Sequence, residues 1–132
     1  MNSLSHSLDA EVADACAKLS QDDLAVVQAH AALAASLPRV FSASPFVAEA
    51  CARQPGLLRD LVESGELFSA CAQEDHALRL RQRLSGVTDE AGLLRALRLF
   101  RRREIVRIAW RDLAVWADTS ETLRELTWLA DA

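Results

Sequence analysis

The chain predicts an all-α protein, an irregular multi-helix bundle with one long helix near residues 89–116. Three observations carry that reading. Tyr is absent and no segment alternates apolar and polar residues over the length of a strand. No Asn-Gly or Asp-Gly pair offers a hairpin turn. Helix starts and stops instead follow one another along the chain, from Ser20 to Asp118.

The elements follow in order. A first helix is expected over about residues 8–19. Ser20 is an N-cap with Asp23 at N3, opening an Ala-rich helix that runs to about Ser36. Pro38 disfavours the α conformation at Leu37 and so marks its end. Ser44 followed by Pro45 is a second cap with proline at N1, and the short helix it starts should carry Phe46, Val47, Ala50 and Cys51. Pro55-Gly56 breaks it. Leu57, Leu58, Leu61 and Val62 then form a helical stripe that stops at Gly65, a natural left-handed C-cap. A further helix starts at about Phe68 or Glu74 and closes at Ser85-Gly86. Thr88 caps the long helix, with Asp89 and Glu90 favourable in its first turn. If it reaches Trp116 it is on the order of 40 Å long. Asp118 with Glu121 three places on opens a last amphipathic helix through Leu123, Leu126 and Leu129. Repeats, low-complexity tracts and Gly/Ser linkers are absent. The expected organisation is an N-terminal helical segment, residues 1–43, loosely attached to a helical subdomain, residues 44–132.

Within the long helix the apolar face changes sides. Leu93, Leu97 and Phe100 share one face, with Arg95, Arg98 and Arg102 nearly opposite. From Ile105 onward Val106, Ala109, Trp110 and Leu113 take the side that the first half gives to arginine, and Arg103, Arg107 and Arg111 continue the face of Phe100. The second half must then be enclosed from several directions. Buried ions need partners, so the charges there are the candidate site: Arg101, Glu104, Arg107, Arg111 and Asp112. Glu104 can reach Arg107 or Arg101 at three residues' spacing, whereas Asp112 needs a partner on another segment. Two roles stay open. The set forms an internal salt-bridge network, or its guanidinium forks meet phosphate or acidic residues on another domain, Arg107 and Arg111 being the pair best placed for that.

At 132 residues and 14.5 kDa the chain is one domain long. Its net charge of −4 hides an asymmetry, with four basic and eleven acidic side chains in residues 1–76 against eleven and eight in residues 77–132. The pI near 5.3 and the lack of aromatics among the basic residues argue against a nucleic-acid binder. No apolar run has the length of a membrane span, and Asp9, Glu11 and Asp14 stand where a signal peptide would be apolar, so the cytoplasm is the expected compartment. Cys16, Cys51 and Cys71 lie far apart among apolar neighbours and read as reduced core thiols. His6, His30 and His76 have no metal-ligand spacing, and His30 reads as a core or edge residue. Asp22-Asp23, Glu74-Asp75 and Asp89-Glu90 stand at helix starts, where capping explains them better than metal binding. No phosphate loop, nucleophile elbow or zinc-protease motif is present, so no catalytic, cofactor or metal residue is assigned.

Two stretches carry a family resemblance: SPFVAEACARQPGLLRDLVESGEL from Ser44, and LLRALRLFRRREIVRIAWRDLAVWADTSETLRELTWLADA from Leu93 to Ala132. Together they cover about two-thirds of the chain, and the F-R-R-R-E-x-x-R-I-A-W-R-D-L run is the most specific part. They resemble the beginning of the bifunctional glutamine synthetase adenylyltransferase/adenylyl-removing enzymes. The resemblance implies a large parent with two nucleotidyltransferase domains, using ATP and Mg²⁺. One domain attaches AMP to a tyrosine of glutamine synthetase and the other removes it by phosphorolysis, with PII signal protein and glutamine setting the balance. That chemistry needs a Gly-Ser turn and an Asp-x-Asp pair, and neither occurs here. The resemblance therefore implies the helical region ahead of the adenylyl-removing catalytic sheet, with partners in the rest of the parent, glutamine synthetase and PII. It also implies exposed apolar surface around Trp110, Trp116 and Trp128 where the catalytic half would pack. The alternative reading is a free-standing interaction module that uses its basic helix.

Overall fold

The computed structural model describes residues 2–131, with side chains from Ala10 onward; His6 lies outside the described side chains. Among the described residues there are eight α-helices, one 3₁₀ turn and no strand. The helices are α1 (Asn2–Ala17), α2 (Gln21–Ala29), α3 (Ala31–Ala43), α4 (Pro45–Arg53), α5 (Leu57–Glu63), α6 (Gln73–Leu84), α7 (Glu90–Leu113) and α8 (Thr119–Asp131), with the 3₁₀ turn at Glu66–Phe68.

Most boundaries follow from local chemistry. The Ser20 hydroxyl accepts from the Asp23 amide at 3.2 Å, and the Ser44 hydroxyl accepts from the Val47 amide at 3.2 Å, with Pro45 at the first helical position. Gly65 and Gly86 both adopt positive φ, 76° and 85°, where α5 and α6 end. Asp118 Oδ1 accepts from the Glu121 amide at 2.7 Å and starts α8. Asp75 accepts from the Ala72 amide at 2.7 Å at the start of α6.

Several expectations are corrected. The Ala-rich helix does not run to Ser36: it breaks at His30, where α2 and α3 meet at 118°. Pro38 ends nothing and lies inside α3. Proline there withdraws the hydrogen bond to the Ala34 carbonyl, but both residues face solvent, where water can satisfy that carbonyl. Leu37, Val40 and Phe41 on the other side are buried and hold the helix together. Asp89 rather than Thr88 caps α7, its Oδ1 accepting from Gly92 at 2.7 Å. The long helix stops at Leu113 instead of Trp116, because Val115 turns into the left-handed region at φ 62° and the amides of Trp116 and Ala117 fold back onto the Arg111 carbonyl. The helix after Ser44 forms as expected, with Val47, Ala50 and Cys51 buried and Phe46 half exposed.

The main core runs from Leu19, Val27, Leu33, Leu37 and Phe41 through Val47, Leu58 and Leu61 to Val106 and Trp110 of α7. Trp110 is fully buried rather than exposed, donating from Nε1 to Ser36 Oγ at 2.9 Å with its ring edge-on to Phe41. A smaller cluster gathers Phe100, Ile108 and Leu129. No single helix is long and apolar enough to cross a membrane.

Candidate functional site

The second half of α7 is sunk among α3, α4, α5, α6, α8 and the 3₁₀ turn. Arg103, Arg107 and Arg111, one turn apart on a single face, are all buried, as is Glu104. Helical spacing aims the three guanidinium groups at the 3₁₀ turn and at α8. Arg107 Nη1 donates to the Ser69 carbonyl at 3.2 Å, and Arg111 Nη1 to the Leu67 carbonyl at 3.2 Å. These bonds satisfy backbone oxygens in an irregular, partly buried segment that has no helix to pair them.

Carboxylates close the network. Glu104 takes Arg103 at 2.6 Å, Arg79 at 2.9 Å and Arg107 at 3.3 Å. Arg103 also reaches Asp60 at 2.6 Å and pairs with Glu66, which Arg79 holds at 2.7 Å. Arg83 joins Asp60 at 3.0 Å, Arg107 pairs with Glu125, and Arg111 meets Glu121 at 3.1 Å. Five guanidinium groups thus face five carboxylates, and the charges balance without any contribution from His76. That ring is fully buried between Glu104, 3.3 Å from Nδ1, and Glu125, 3.6 Å from Nε2, and neither contact has hydrogen-bond alignment. Burial pushes the Glu104 carboxyl up, but His76 and the guanidinium groups of Arg107, Arg79 and Arg103 outweigh it and hold the group at about 2. Burial likewise draws Arg107 below its ordinary value, against the pull of Glu104.

The structure brings Glu104, Arg107 and Arg111 together and leaves two other candidates out. Arg101 is exposed and outside the network, and Asp112 accepts from the Thr122 hydroxyl of α8 at 3.0 Å. Sequence reasoning missed Asp60, Glu66, His76, Arg79, Glu121 and Glu125. It also misplaced the face of α8: Glu125 and Leu129 are buried, whereas Leu123 and Leu126 are 60% and 42% exposed. The helix turns its carboxylates inward because Arg107 and Arg111 need partners more than the two leucines need cover.

Cys71, His76 and Glu104 place ligand-type atoms within 4.8 Å of one another, all buried. The donor set suits a cation poorly, since the Glu104 oxygens already accept from three guanidinium groups that would repel a metal ion. Burial also pushes the Cys71 thiol up, against the pull of Arg107 and Arg79, so it is not a ready thiolate. The Cys51 thiol, buried and close to Asp23, is pushed up to about 12. All three cysteines are free. The arrangement can brace elements against one another, and its one thiol near His76, Cys71, is buried and held in the protonated direction by that burial.

The profile of the glutamate-ammonia ligase adenylyltransferase family matches residues 34–132. The chain belongs to that family. The bifunctional glutamine synthetase adenylyltransferase/adenylyl-removing enzyme of Nitrosococcus oceani is 50% identical over 93 residues, covering 70% of this chain and 10% of the relative. Its counterpart in Pseudomonas aeruginosa is 46% identical over 94 residues, 71% of this chain and 10% of the relative. That of Pseudomonas syringae pv. tomato is 40% identical over 119 residues, 89% of this chain and 12% of the relative. The match to the family includes all of α4 to α7 and the whole charge network, and the chain spans about a tenth of the length of these relatives. No solved structure matches it.

Proposed function

We propose that this chain is the helical region of the adenylyl-removing half of the enzyme that regulates glutamine synthetase, and that it shapes and supports a nucleotidyltransferase domain instead of carrying out chemistry. One observation carries the reading: the buried arginines of the family-matched region, Arg103, Arg107 and Arg111, spend their guanidinium groups on internal carboxylates and backbone oxygens, as a brace does. ATP and Mg²⁺ would serve the parent enzyme and not this piece, which lacks the Gly-Ser turn and the Asp-x-Asp pair. Glutamine synthetase, PII and the remainder of the parent are the proposed partners, in the cytoplasm. Isolated residues 1–132 should neither bind ATP appreciably nor release AMP from modified glutamine synthetase.

The deciding experiment is an immunoblot of the source cell with an antibody raised to this chain. A band many times larger than 14.5 kDa is expected. A band at 14.5 kDa would overturn the proposal in favour of a free-standing interaction module, the reading favoured by the arginines of α7 that have no ion-pair partner among the described residues.

A further inference from the structure

The first ten residues of α7, from Glu90 to Leu99, span about 15 Å and include no buried residue. Leu93 and Leu94 are 38% and 54% exposed. Leu94, Leu97, Arg98 and Arg101 follow one another at i, i+3, i+4 and i+7, the spacing of a seam against which a second helix packs. Beside the seam, Leu80, Leu97, Arg98, Phe100, Arg101 and Leu129 line a groove of about 310 Å³ between α6, α7 and α8. The lining is apolar and cationic and includes no carboxylate.

The arginines divide in the same way. The buried arginines of α7, Arg103, Arg107 and Arg111, all hold carboxylates, as do Arg53 and Arg59 on the surface, while Arg39, Arg81 and Arg124 stand singly on other elements without one among the described residues. Arg95, Arg98, Arg101 and Arg102 have no ion-pair partner among the described residues, in a chain of net charge −4. Carboxylates are therefore available in this molecule and are not used here.

We propose that this face of α7 docks an amphipathic helix of a partner protein, one that lays leucine-type side chains on Leu94, Leu97 and the groove and directs Glu or Asp to Arg98 and Arg101. The inference goes beyond the supporting role above, since it names a second surface and the chemistry that fits it. Nucleic acid would satisfy the arginines but leave the leucine seam uncovered. A purely apolar helix would leave the guanidinium groups unpaired at the rim of the interface.

The test uses a fluorescent synthetic helix with Leu along one i, i+3, i+7 seam and Glu elsewhere, titrated against the 132-residue chain by anisotropy. A matched helix with Lys for Glu, and inorganic polyphosphate, are measured alongside. The Glu helix should bind saturably, should weaken as salt rises, and should lose about tenfold or more in affinity in R98E/R101E and in L94N/L97N. Arg124→Glu on α8 should change nothing, and circular dichroism should show every variant folded. No binding by about 1 mM peptide, equal binding of the Lys helix, or full affinity in R98E/R101E would overturn the proposal. So would polyphosphate binding that needs the arginines but ignores L94N/L97N, because it would mark a phosphate site. Concentration-dependent dimerisation lost in L94N/L97N would also overturn it, by making a second copy the occupant.

Discussion

Glu104 accepts from Arg79, Arg103 and Arg107 with no exposure to solvent, so the three cations depend on one carboxylate for much of their compensation. Breaking a buried pair by removing one partner typically costs about 3–5 kcal/mol, because the surviving charges stay buried. Glu104→Gln should destabilise the chain by about that amount at neutral pH, measured by urea unfolding. The pH dependence has a definite sign. The carboxyl sits at about 2 in the folded chain against an ordinary 4.5, so its contribution is complete above pH 4.5 and disappears as pH falls toward 2. The stability gap between wild type and Glu104→Gln should therefore narrow between pH 4.5 and 2; a gap that stays constant across that window would refute the assignment. Only half of this cluster can be read from the chain. Glu104, Arg107 and Arg111 share a helix, and helical spacing alone relates them. Asp60, Glu66, Arg79 and Glu121 belong to other elements, and spacing within a helix says nothing about which neighbour it faces. Glu121 and Glu125, one turn apart, were the available signal, and the leucines of α8 concealed it.

At the scale of elements, the turn between α7 and α8 is made at a cost that can be measured. Val115 adopts φ 62° at the C-terminal end of α7, a position where glycine is usual and a β-branched residue is strained. Its side chain is 65% exposed, so little packing depends on it. The turn itself is needed, because it reverses the chain so that Glu121 reaches Arg111 and Thr122 reaches Asp112. Val115→Gly should raise stability by about 1 kcal/mol, since it removes the left-handed penalty of about 1–2 kcal/mol and gives back part of it as unfolded-state entropy. A loss of stability on thermal unfolding would mean that the valine side chain matters in some other way. The same contrast explains which elements were legible. Ser20, Ser44, Gly65 and Gly86 act within three or four residues, so their effects can be read locally. Pro38 and Val115 break local rules, and only the packing of Leu37, Val40 and Phe41 or the pairing of Arg111 shows why.

Across the whole molecule, the division between residues 1–43 and 44–132 becomes a question of cooperativity. Asp23 of α2 is fully buried and reaches across the chain to the start of α5, where Oδ2 accepts from the Gly56 amide at 3.1 Å and Oδ1 from the Arg59 amide at 3.0 Å. Those amides stand at a helix N-terminus, where a carboxylate is favoured, and without it both lose their partner. Ser36 and Leu33 meet Trp110 and Val106 in one core, and on the other side of α7 the charge network ties α5 and α6 to α8. An N-terminal segment held this way should unfold together with the rest. Asp23→Ala should cost about 2–4 kcal/mol, and the tryptophans provide the discriminating readout because Trp110 bonds Ser36 and packs on Phe41 of the first segment whereas Trp128 lies on α8. If the chain is one cooperative unit, a substitution at residue 23 should shift the tryptophan fluorescence transition and the far-ultraviolet circular dichroism transition by the same amount. If residues 1–43 are only loosely attached, the fluorescence trace should become biphasic, with Trp110 changing early alongside part of the helical signal as Ser36 and Phe41 leave it while Trp128 keeps the wild-type midpoint. That outcome would make the Asp23 contacts dispensable to the brace around Arg107.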